Sequence, residues 1–225
     1  CGNLFMRPVW YVRELEKKNR IAGQGDMREG TVFVEEKEKQ HYYMECFENS
    51  DVPIFCTYII YDEDILDGCV YIPQKVVTDF QCQDGYVVLI DYLPFQDALK
   101  TLGRRFSYCE GAVHYRFPTR AESIKMFCDE TVDNLFYKSP YFRHQKEHRI
   151  VVGEYVNGTR TVTLTSEGKK EHIKVSRYGF PDKSFDSTKW IPYKIYRLDD
   201  DMKQYARKIT ISSLERNEDQ YVLIL

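Results

Sequence analysis

The residues best suited to chemistry in this 225-residue chain lie between His144 and Arg149, inside KSPYFRHQKEHRIVVGEY. Two chemistries share Glu147. At a spacing of four, His144 and His148 with Glu147 spell H-x-x-E-H, in which two histidines bind zinc and the glutamate serves as base. At a spacing of two, Gln145, Glu147 and Arg149 form a polar row along one side of an extended chain. The zinc pattern needs a helix, because only there do side chains four apart reach one ion. The motif runs instead into RIVVGEYV, which reads as a strand. The other histidines, His41, His114 and His172, lack metal spacing, and no downstream carboxylate stands out as a third ligand. The strand reading takes precedence, and no metal is expected. In it Glu147 accepts hydrogen bonds from a hydroxyl and stabilises developing positive charge. Gln145 orients a second substrate, and the histidines are bystanders on the opposite face. An exposed strand face, with Glu147 and Arg149 paired to neighbours, would account for the same residues taken alone.

A polar row of this kind needs a sheet to hold it. NLFMRP reads as a first strand and VWYVRELEKK as a helix; NRIAGQGDMREG is a Gly-rich, charged loop. TVFVEEKEK and HYYMECFE suggest a hairpin. VPIFCTYIIYDED is the strongest strand signal, apolar on both faces, and predicts a central strand covered on both sides. PQKVVTDFQC predicts a short helix with Pro at its start, and GYVVLIDYL a strand. PFQDALKTLGRRF places Phe95, Ala98, Leu99 and Leu102 on one helical face. GAVHYRF reads as a strand, and AESIKMFCDETVDNLFYKSP as partly helical. EHRIVVGEYV, TRTVTLTS and HIKVSRY predict successive strands, FPDKSFDSTKWIP a loop, and ARKITISSLER a tail ending in strand. Strands and helices mix without steady βαβ alternation. This predicts an α+β fold, a mixed or mostly antiparallel sheet with a few helices, in a single domain over residues 1–225.

A net charge of −3 excludes global attraction to nucleic acid or to an anionic membrane. No apolar run approaches the length of a membrane span, and CGNLFMRPVW lacks a charged leader followed by an apolar stretch. Seven cysteines without a C-x-x-C pair read as buried reduced thiols, Cys56 among them. These features set the expectation of a cytoplasmic protein with no membrane partner. Asp26, Arg28 and Glu29 in QGDMREG suit either a pocket rim or turn chemistry. The run LDDD at Leu198 to Asp201 reads as a solvated turn, because calcium needs ligands spaced along a loop.

Several segments in order resemble a family of bacterial proteins of unknown function. They are Tyr11-x-Arg13, the Gly25-Asp26-x-x-Glu29-Gly30 loop, Phe55-Cys56-x-Tyr58, and Lys138 with Phe142, Gln145, Glu147 and Arg149. The likeness covers most of the first 155 residues. The same order, an early Arg7 or Arg13, a central Cys56-to-Tyr58 strand and a late Gln145-x-Glu147, distantly resembles ADP-ribosyltransferases. That resemblance implies an ADP-ribosyltransferase-like fold with NAD as substrate. An early arginine would hold the pyrophosphate. Tyr58 would stack on nicotinamide. Glu147 would bind the nicotinamide ribose and favour an oxocarbenium-like transition state, while Gln145 steers the acceptor. The implied catalytic pair is Glu147 and Gln145, and the implied NAD-binding set is Arg7, Arg13, Tyr58, Asp26, Glu29 and Arg149. The resemblance further implies a macromolecular acceptor, protein or nucleic acid, or hydrolysis of NAD. It suggests the role of a toxin or antiphage factor, with a restraining antitoxin or regulatory protein. Two other classes suit the same residues: a non-catalytic module sensing a nucleotide or phage component, and a metal-dependent nuclease or hydrolase using Glu147 with the Asp26 loop.

Overall fold

In Asn3–Pro8 (β1), Leu4, Met6 and Pro8 are buried while Asn3 and Phe5 face solvent, the two-residue alternation of a strand with one covered face. The computed structural model describes residues 3–19, 30–37, 40–45, 52–80, 84–104, 106–128, 132–153, 155–166, 169–178, 194–198 and 202–225. After β1 come helix α1 (Val9–Asn19), the hairpin strands β2 (Thr31–Lys37) and β3 (Gln40–Glu45), and β4 (Pro53–Tyr58). Next are β5 (Ile65–Leu66), β6 (Cys69–Pro73), α2 (Gln74–Asp79), β7 (Tyr86–Ile90), α3 (Tyr92–Leu102), β8 (Ser107–Ala112) and α4 (Arg120–Cys128). The remaining strands are β9 (Glu147–Gly153), β10 (Tyr155–Ser166), β11 (Lys169–Tyr178), β12 (Lys194–Arg197), β13 (Ala206–Thr210), β14 (Glu215–Asn217) and β15 (Gln220–Ile224).

The main sheet has the order β12-β1-β4-β9-β8, and every pairing in it is antiparallel. A second sheet runs β14-β15-β6-β5, and three two-stranded ladders complete the pairing among the described residues. The class is α+β, with antiparallel sheets and few helices. No described helix is long and apolar enough to cross a membrane.

Strand β4 is central, as its two-sided apolar character predicts, and β9 beside it buries Ile150, Val151 and Val152 on both faces. On one face, Leu4, Met6, Ile150 and Val152 pack against Phe95, Ala98, Leu99 and Leu102 of α3. On the other, Ile54 and Val151 pack against Val9 of α1 and against Val132 and Leu135, which flank and form a 3-10 turn over Asp133–Phe136. That second face also carries the polar row.

Three sequence expectations change. The strand in VPIFCTYIIYDED stops at Tyr58, and Asp62–Asp64 is a 3-10 turn. GAVHYRF is not a strand of its own: β8 ends at Ala112, and His114 makes only an isolated bridge to Tyr137. The edge strand β12 and the interior strands β6 and β15 of the second sheet carry pairing roles that their short, mixed sequences did not signal. The loop read in FPDKSFDSTKWIP lies outside the described residues.

Main-sheet continuity is limited at one place. β1 pairs with β12 through Asn3 to Met6 and meets β4 only at its end, through Arg7–Ile54 and Pro8–Pro53. Both prolines lack an N–H and cannot extend the ladder. Beyond Ile54, on its β1 side, β4 has no strand neighbour among the described residues.

Candidate functional site

The chain enters β9 through a tight turn. Ser139 accepts a hydrogen bond from the Tyr141 N–H at 3.4 Å and caps a 3-10 helix over Pro140–Gln145, with Pro at its first position. Lys146 then adopts the left-handed conformation, φ 38° and ψ 50°, and Glu147 opens the strand. Gln145 is therefore not a strand residue, as strict alternation predicts. It reaches Glu147 through a third group, Lys138, whose Nζ donates to Gln145 Oε1 at 2.8 Å and to Glu147 Oε2 at 3.0 Å. The same ammonium lies 4.8 Å from the centre of the Phe142 ring.

The register completes the cluster. Cys56 pairs with Arg149 and Tyr58 with Glu147, so these four share one face of the sheet. Arg149 Nε donates to Glu147 Oε1 at 2.5 Å, and its Nη1 donates to the Leu135 carbonyl. The Glu147 N–H donates to Tyr115 Oη at 2.7 Å. Gln145, Glu147, Lys138 and Arg149 are all buried, Arg149 to 1% exposure, so each charge depends on its partners. Burial by itself would raise the Glu147 pKa. The Arg149 and Lys138 charges outweigh it and hold the carboxyl below its ordinary range, so Glu147 stays ionised. Two cations face one carboxylate.

Cys56 corrects an expectation. Its side chain is exposed, not buried, at the level where β1 leaves β4. Yet desolvation is the largest cause raising its thiol pKa, followed by the Glu147 charge. The thiol is held protonated by desolvation and by the nearby Glu147 charge. It is an exposed neighbour, on the same sheet face, of a buried carboxylate.

No family model, curated protein or solved structure matches the chain. The assignment of each residue therefore rests on its placement. Tyr58 is half-buried on the Glu147 face, with a phenol pKa raised chiefly by desolvation. Arg13 is buried beside Gly30, where a Cβ would lie 3.4 Å from Arg13 Nη2 and only 2.8 Å from Leu135 Cδ2. Gly30 also has φ +67°, so both space and conformation call for glycine there. Leu135 has its side chain beside Gly30 and its carbonyl on Arg149. Arg7 shares the same sheet face, but the register sets it four residues from Tyr58 along β4, about 13 Å. Its guanidinium lies over the Phe5 and Tyr11 rings at 4.7 and 4.4 Å. Asp26 and Glu29 lie outside the described residues. The structure thus joins Glu147, Gln145 and Arg149, sets Tyr58 on the same face but packed against Val70, Ile72, Val76 and Leu223, buries Arg13 beside Gly30, and places Arg7 at the far end of the face. Sequence reasoning did not place Tyr115 or Cys56 in the site. Lys138, present in the resemblance motif, was not given its role as the hub.

The two histidines part company. His148 faces the α3 side of the sheet, 4.0 Å from Glu110 Oε2 and with its ring 5.8 Å from that of Tyr92. His144 is no bystander, because its Nε2 meets Asp79 Oδ2 at 2.5 Å. Among the described residues no group of three or more His, Cys, Asp and Glu side chains converges as metal ligands.

His148 yields a pH prediction. Burial depresses its pKa, only partly offset by Glu110. The unfolded chain then takes up the proton first, so stability is full above about 6.5 and falls as pH drops through the depressed folded pKa. Thermal unfolding should occur at a lower temperature at pH 5 than at pH 7.5. His148→Gln should shrink that difference, and an unchanged difference would refute the assignment.

Proposed function

We propose that this chain breaks the nicotinamide–ribose bond of NAD, as an ADP-ribosyltransferase-like enzyme that passes ADP-ribose to a macromolecular acceptor or to water. The carrying observation is Glu147, a buried carboxylate that opens β9 between Lys138 and Arg149, with the exposed Cys56 on the same sheet face. A carboxylate held ionised is a poor proton acceptor but a good fixed anion and hydrogen-bond acceptor. Arg149 and Lys138 each occupy one of its oxygens, which leaves acceptor capacity on the Cys56 side for a ribose hydroxyl. Tyr58 on the same face is half-buried against Val70, Ile72, Val76 and Leu223, and this reading gives its remaining surface to nicotinamide. Gln145, fixed through Lys138, is placed to orient the acceptor. Cys56, Cys69 and Cys109 are free thiols, which suits work in a reducing cytoplasm.

One observation favours a second reading. Lys138 and Arg149 together exceed Glu147 by one positive charge, which suits a module that binds a phosphate-bearing nucleotide without turning it over. Incubating the purified chain with NAD and measuring free nicotinamide separates the two. Nicotinamide release that requires Glu147 supports the enzyme. Thermal stabilisation by NAD without release supports the sensor, and neither binding nor consumption overturns the NAD reading.

A further inference from the structure

Gln145 and Glu147 sit in a turn whose alternate residues are anchored elsewhere. His144 Nε2 meets Asp79 Oδ2 at 2.5 Å, and Asp79 Oδ1 also accepts from Lys75 Nζ at 2.9 Å. The Tyr141 ring packs edge-on against His144, 6.4 Å between centres, and Lys75 Nζ lies 5.1 Å from the centre of that ring. Two residues on, Lys146 Nζ donates to Asp64 Oδ1. Both aspartates belong to one stretch, residues 62–79, which supplies β5, β6 and α2 to the four-stranded sheet unit. Residues 144 and 146 therefore reach out to that unit, while 145 and 147 reach in to Lys138.

The turn needs holding. A lysine in the left-handed region crowds its Cβ against the backbone, a conformation that side chains rarely adopt. The Ile59 N–H donates to the Lys146 carbonyl at 2.9 Å and fixes its backbone, and Asp64 fixes its side chain. The outer contacts are unequal. The Asp79 and His144 side chains are 7% and 17% exposed, whereas Lys146 and Asp64 are 39% and 22% exposed. The better-buried pair is less screened by water and contributes more.

We propose that Asp79 and Asp64 are positioning residues, a two-point strap from the four-stranded sheet that fixes the Lys146 turn and so aligns Gln145 and Glu147 against Lys138. The catalytic consequence rests on the NAD reading above; the strap itself does not. The sheet that ends in β15 thereby acquires a task beyond stability, since a change in its placement is transmitted to the site through His144 and Lys146.

The test uses Asp79→Asn, Asp64→Asn and their combination in the full chain, with Asp97→Asn as control, because Asp97 pairs only with the exposed Lys100 nearby. Hydrogen exchange of the 140–148 amides is expected to speed up about tenfold in Asp79→Asn and about twofold in Asp64→Asn, and to remain unchanged in the control. Nicotinamide release should show a several-fold loss of kcat with little change in KM, and Asp79→Glu should restore part of it. Unchanged exchange in the double variant, or a raised KM with kcat intact, overturns the strap. If the wild type releases no nicotinamide, the NAD reading falls, and the exchange result alone decides whether the strap exists.

Discussion

Glu147→Gln is expected to lower kcat for nicotinamide release about 100- to 1,000-fold, the range typical of losing one preorganised electrostatic group. The amide keeps the shape of the carboxylate and one acceptor oxygen, so NAD should still shift the melting temperature. It cannot keep the charge. The reaction builds positive charge on the ribose as neutral nicotinamide leaves, and only an anion at this point offsets it. The wild-type carboxylate is held below the ordinary range by Arg149 and Lys138, so no acidic limb from Glu147 should appear in the rate profile at mild pH. Rates must be compared well below the variant's unfolding temperature, because the same substitution leaves two buried cations facing an amide. A Gln variant that releases nicotinamide at the wild-type rate would remove Glu147 from the chemistry.

The second expected result concerns stability, and counting charges sets its order. Arg149→Met removes one cation and leaves Lys138 and Glu147 as a neutral buried pair, although the Leu135 carbonyl loses its donor. Glu147→Leu leaves Lys138 and Arg149 as two buried like charges with no carboxylate between them. Breaking a buried pair from one side costs about 3–5 kcal/mol. Glu147→Leu should therefore reach or exceed that range and Arg149→Met should fall at or below its lower end, read as shifts in the urea midpoint at constant slope. The reverse order would mean that the Arg149–Leu135 bond, not the charge balance, holds this region together.

Much of this arrangement was legible in the chain, and what was not has physical causes. The α3 face of Phe95, Ala98, Leu99 and Leu102 packs as its spacing predicts, because a buried helix stripe is a strong periodic signal. Glu147 and Arg149 share a face because β9 keeps its alternation. Gln145 joins them through Lys138, seven residues earlier, across a left-handed turn at a lysine that no local pattern announces. Cys56 reads as buried from IFCTYII because that run is apolar on both sides. Its exposure follows from where β1 leaves β4, a matter of tertiary pairing. His144 has its partner 65 residues away in Asp79, beyond the reach of any motif.

The short contact between β1 and β4 has a mechanical consequence. A five-stranded sheet joined throughout would resist bending across its width. Here, among the described residues, two ladder pairs, one of them proline on proline, join a leaf of β12 and β1 to a leaf of β4, β9 and β8, and Leu4 and Met6 share the α3-covered core with Ile150 and Val152. The backbone link between the leaves is thus short, and their alignment depends on the side-chain core under α3, whereas the β4–β9 and β8–β9 ladders are continuous. The thinnest backbone pairing of the main sheet therefore lies beside Cys56, while the carboxylate belongs to the leaf whose ladders are unbroken.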